Sequence, residues 1–154
     1  MKHKISPIMS LFVVVLLIAA CAPQAPATEA PATPRAVEDQ DSLLEALKNK
    51  AIETEGAKVE LGDSVEQAFL NAQGQIIKVN DADVQVFEYE SADALEADAA
   101  QISPDGGSTA TTMITWMATP HFFKSGRVLV LYVGDDPAVL ALLKSVLSEQ
   151  FAGR

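Results

Sequence analysis

Few side chains in this sequence have the chemistry for catalysis or metal binding, and they are thinly spread. The 154 residues include two histidines and one cysteine. His121, in Thr119-Pro120-His121-Phe122-Phe123-Lys124, would need an orienting acid and a nucleophile to act as a general base. Asp135 or Asp136 could supply the acid and Ser125 the hydroxyl, yet no nucleophile-elbow pattern surrounds that serine. The competing reading is a partly buried histidine at a strand start, with a ring nitrogen on a backbone carbonyl. Zinc needs three or four Cys, His or carboxylate ligands, which one histidine and no spare thiol do not provide. Asp81 with Asp83, and Asp135 with Asp136, offer oxygen ligands of the kind calcium takes, but neither cluster has the ligand spacing of an EF-hand. They read better as turn residues and, for Asp136, as a helix cap. The loop Asp105-Gly106-Gly107-Ser108 has amides for an anion, but no phosphate motif with its lysine follows, so a flexible turn is expected. No metal or cofactor is expected.

Apolar contact is the stronger signal. Met113, Trp116, Met117, Pro120, Phe122 and Phe123 gather the only tryptophan, two of four methionines and two of six phenylalanines into one short stretch. Methionine and aromatic side chains together form adaptable apolar surfaces, although ordinary core accounts for much of such a cluster. Trp116, His121, Phe122 and Phe123 are the expected contact residues for a ligand or partner.

The cysteine has a different context. Lys2 and Lys4 precede an apolar run from Leu11 to Ile18, and Leu17-Ile18-Ala19-Ala20 lead directly into Cys21. Charge, apolar segment and small residues in that order make a secretory signal, and the run is shorter than the roughly 20 residues a membrane span needs. The ending resembles a bacterial lipobox. That resemblance implies cleavage after Ala20, lipid on the Cys21 sulfur and an acyl chain such as palmitate on its new amino group. Several chains anchor stably where one holds only marginally. With Cys21 so used, no thiol remains for a disulfide, a metal or a nucleophile. Ala22, in place of an aspartate, favours the outer membrane if the cell has one.

Residues 1–20 are therefore expected to be a lipoprotein signal peptide and 21–40 the lipidated cysteine with a Pro/Ala-rich tether. The tether composition cannot bury enough surface to fold, and its prolines favour an extended chain. Extended polyproline II geometry would let it reach on the order of 50–60 Å. Residues 41–154 are long enough for one domain with its own core. Loss of Lys2 and Lys4 from 11 basic residues leaves 9 against 21 acidic ones, a net charge near −12. Such a balance argues against nucleic acid and against a basic face on anionic lipid.

The elements that would position these side chains follow from pattern. A helix is expected from Ser42, boxed by Glu45 and stopped by Gly56, with Leu43, Leu44, Leu47 and Ala51 on one side. Strands are expected at Ser64–Leu70, Gln75–Val79 and Val84–Tyr89, then a helix capped by Ser91 that carries Leu95, Ala99 and Ile102. Further strands are expected at Thr111–Met117, His121–Lys124 and Val128–Val133, the last without polar alternation and so buried on both faces. Asp136 and Pro137 open a final helix with a Leu140, Leu143 and Leu147 stripe, and Gly153 follows its end. The sum is an α+β fold: an antiparallel or mixed sheet of five to six strands with three helices. The repeat of Val84–Phe87 before one helix and Val128–Leu131 before another would fit two strand–strand–helix units related by an approximate twofold.

Asp83–Tyr89, and Pro120–Phe123 through Gly126–Asp136, resemble a group of small bacterial envelope lipoproteins. The likeness covers roughly residues 64–153 and implies a location, but it brings no activity, substrate or catalytic residue. The expected function is a membrane-anchored, extracytoplasmic, non-catalytic binding or accessory module for an envelope protein or cell-wall ligand. The alternative is a small hydrolase or metal-dependent enzyme that uses His121 with nearby carboxylates.

Overall fold

The structure, a computed structural model, describes residues 36–54 and 56–153. The expected signal peptide, Cys21 and most of the expected tether lie outside the described residues. The elements run α1 (Gln40–Glu53), β1 (Val59–Glu66), β2 (Gln73–Val79), β3 (Ala82–Glu88), α2 (Ala92–Ala99), β4 (Pro120–Ser125), β5 (Val128–Val133), α3 (Pro137–Leu147) and β6 (Ala152–Gly153). The six strands form one antiparallel sheet in the order β1-β2-β3-β5-β4-β6. The fold is α+β, with three helices on that sheet.

Side chains of a strand alternate between faces, and β5 uses the alternation fully. Val128, Val130 and Tyr132 join one core with Leu43 and Leu47 of α1 and with Val139, Leu143 and Leu147 of α3. Leu129 and Leu131 join a second core with Leu95 and Ala99 of α2, Phe87, Phe122 and Leu70. The sheet is therefore covered by α1 and α3 on one face and by α2 with its following loop on the other. This explains the unbroken apolar run in β5, which is a central strand. It also limits the internal symmetry. The β2–β3 and β4–β5 hairpins meet antiparallel at β3 and β5, as a twofold normal to the sheet requires. That axis would place α2 and α3 on the same face, and they lie on opposite ones.

Several boundaries differ from the sequence reading for identifiable reasons. Helix α1 is capped by Asp39, not Ser42: Ser42 is the N3 residue of the box and returns its hydroxyl to the Asp39 amide. Strand β1 starts at Val59 because Gly62 and Asp63 form a bulge opposite Ile76, and an extra residue breaks the period of two. Leu70, taken as the end of that strand, is a loop residue buried in the α2-side core. Residues 111–117 are not a strand; Met113 makes only an isolated bridge with Ser108. Gly153 does follow the end of α3, and it belongs to a two-residue edge strand that was not expected. Asp136 and Pro137 do start α3, with the Ala138 amide donating to the Asp136 carboxylate at 2.8 Å.

The chain enters the domain on the turn between β4 and β5. Val37 is buried, its carbonyl accepts from the Ser125 hydroxyl at 2.8 Å, and the Glu38 carbonyl accepts from the Arg127 amide at 2.9 Å. Gly126 in that turn has φ +55°, and a Cβ there would collide with the Glu38 backbone. Arg127 adds ion pairs to Glu88 at 2.7 Å and Asp39 at 3.7 Å.

Candidate functional site

The loop after α2 is built from its own hydrogen bonds. The Asp105 carboxylate accepts from the Gly107 amide and the Ser103 hydroxyl; at the base of the loop the Ser103 amide donates to the Ser108 carbonyl and the Ser108 amide to the Ser103 hydroxyl. Gly106 at its apex has φ +68°, and a Cβ would press on the Phe122 ring at 3.0 Å and Pro120 at 3.1 Å. A glycine there leaves the Gly106 carbonyl free to accept from the Trp116 indole N–H at 2.7 Å. Trp116 is half-buried and held edge-on between Phe69, at 5.9 Å between ring centres, and Phe122, at 6.0 Å. From Met113 to Met117 the chain forms no strand: Met113 bridges Ser108, and the Ile114 amide donates to the Gly107 carbonyl at 2.9 Å. Ile114 and Trp116 turn toward the sheet while Met113, Thr115 and Met117 face solvent. The alternation that suggested a strand is real, but no neighbouring strand pairs with it.

Beside Trp116 lies a hollow of about 300 Å³ lined by Asp105, Gly107, Ile114, Trp116, Ala118, Thr119 and Pro120. It combines an aromatic wall, aliphatic sides and a carboxylate at one edge. Of the four residues expected to form a contact surface, only Trp116 reaches it. Phe122 and Phe123 are fully buried, on opposite faces of the sheet, and offer no side chain to a ligand. The sequence could not separate them from surface because a strand covered on both faces looks uniformly apolar.

His121 is also internal, 5 % exposed, with its ring 6.1 Å from that of Tyr132 and nearly parallel to it. Its Nδ1 lies 2.7 Å from the Gln150 side-chain oxygen, and Nε2 is buried without a hydrogen-bond partner. Ser125 sits at the other end of β4, four residues away or on the order of 13 Å, and donates to the Val37 carbonyl. Asp136 caps α3. These groups do not converge. Among the described residues no cluster of three or more His, Cys, Asp or Glu is placed to hold a metal ion, and no helix is long and apolar enough to cross a membrane.

One polar constellation escaped the sequence reading. Asp98, buried in α2, accepts from the Asn71 amide at 2.7 Å, the Asn71 side chain at 2.6 Å and the Tyr89 hydroxyl at 3.0 Å. Burial, followed by the bond to Asp98 and its charge, raises the Tyr89 hydroxyl well above its ordinary value. The carboxylate is fully partnered and pins the 67–72 loop to α2, a structural latch. The signal was an acid within the Leu95, Ala99 and Ile102 stripe.

No family model, curated protein or solved structure matches the chain.

Proposed function

We propose that the protein is an extracytoplasmic lipoprotein, anchored through Cys21, whose domain is a non-catalytic binding module that makes contact at the Trp116 hollow. The observation that carries this reading is the fixing of Trp116. Its N–H is bonded to Gly106 and its edge is packed by two phenylalanines, while part of the ring lines an open hollow. A side chain held in this way loses little entropy when a ligand covers it. Position supports it further. The hollow lies at the Pro120 end of β4, and the chain enters the domain at the Ser125 end. A tether made of the residues that precede Val37 would leave the hollow on the far side from its point of attachment. The ligand is an envelope protein or a cell-wall component, and the membrane is the outer one in a cell that has two.

Two variants of the full chain test the two halves. Cys21→Ser is expected to move the protein from the membrane to the soluble envelope fraction; retention in the membrane would contradict the anchor. Trp116→Ala is expected to fold normally and to lose binding of solubilised envelope proteins or cell-wall fragments by tenfold or so, about 1.4 kcal/mol. Equal binding by the variant would remove the site.

A further inference from the structure

Methionine ordinarily fills gaps in a core. Of the four methionines, Met1 and Met9 precede the expected cleavage point, which leaves Met113 and Met117. Neither is in the core: they are 89 % and 103 % exposed. They belong to the same segment as Ile114 and Trp116, in which exposed Met113, Thr115 and Met117 alternate with the half-buried Ile114 and Trp116. With Cys21 assigned to lipid, these two thioethers are the sulfur chemistry left to the mature chain, and each is next in sequence to a residue that lines the hollow, Met113 to Ile114 and Met117 to Trp116 and Ala118.

We infer that Met113 and Met117 form a paired oxidation site through which hydroperoxides alter the contact surface at Trp116. A thioether lone pair attacks the outer oxygen of the peroxide. The S–O bond forms as the O–O bond breaks, and the departing hydroxide takes the remaining proton as water. Sulfur loses two electrons and the peroxide gains them, so hydrogen peroxide is the whole co-reactant. Each sulfoxide replaces an apolar edge by a polar acceptor. The core is untouched, since neither side chain belongs to it. The chemistry stands on exposure alone, whereas its effect on binding rests on the contact role proposed for the hollow.

The test treats the full chain, in detergent, with hydrogen peroxide and follows the gain of one oxygen at each methionine by mass spectrometry of the digested protein. The same chain unfolded in guanidinium chloride is the reference. Folded and unfolded rates are expected to agree within about threefold at both positions, because access governs the rate. Protection of about tenfold or more at either would overturn the site. Emission of Trp116, the only tryptophan, is the second readout. It should change with sulfoxide formation in the native chain and stay constant in the Met113→Leu, Met117→Leu double variant. Emission that ignores oxidation would overturn the link to the hollow. Neither readout involves a partner, so this failure and failure of the contact role are told apart.

Discussion

Asp98 shows how one side chain can decide a local structure. Its carboxylate accepts three hydrogen bonds in a buried setting, two from Asn71 and one from Tyr89. Asp98→Ala would leave those donors without an acceptor, at a cost of about 1–3 kcal/mol. The loss is expected as a lower denaturation midpoint with an unchanged dependence on denaturant. Asp98→Asn, which retains one acceptor oxygen, should lose less. Tyr89 gives the same latch a dependence on pH. Its folded value is raised, so its contribution is complete below the ordinary tyrosine value near 10 and is lost as pH rises from there through the raised value. Alkaline titration of stability should therefore show a steeper fall in the native chain than in Tyr89→Phe. At the acid end, Asp39 is held below its usual value by hydrogen bonds from the Ser42 side chain and backbone and by Arg127. That contribution is present above about pH 4 and disappears as pH falls through the lowered value.

At the scale of elements, the β4–β5 turn holds residues 37 and 38, which lead into α1. Gly126→Val would combine a left-handed backbone with a collision against Glu38, and each such strain costs about 1–3 kcal/mol. The expected result is lower stability together with faster amide exchange at the start of α1, where Asp39 and Ser42 cap the helix. Normal protection there would contradict the docking of residues 36–39. Elements whose signals are local were legible in the sequence: β5 from its apolar run, α3 from Asp136 and Pro137, α2 from Ser91. Those that depend on a distant partner were not. The bulge at Gly62 and Asp63 hides β1, and the alternation from Met113 to Met117 reports extended chain without saying whether another strand pairs with it. Of the residues that line the hollow, Trp116 was among those singled out from the sequence. The burial of Phe122, Phe123 and His121 was not legible, because it depends on helices covering both faces of β4.

At the scale of the molecule, the two ends of one hairpin carry two proposed roles. One end packs against residues 37 and 38, where the proposed tether would join the domain, and the other holds the Trp116 hollow, with the exposed Met113 and Met117 adjacent in sequence to its lining. Other exposed apolar side chains are Ile52 in α1 and Leu61 in β1, neither of which lines this hollow. They serve as internal controls for the claim that contact is made at one place. The direct measurement is photo-crosslinking in intact envelopes, with a photoreactive amino acid placed at position 117 in one form of the full chain and at position 52 in another. A defined adduct from position 117 that vanishes with Trp116→Ala, and none from position 52, is the predicted result. The same adducts from both positions, or an adduct at position 117 that survives the loss of Trp116, would contradict a contact site at the hollow.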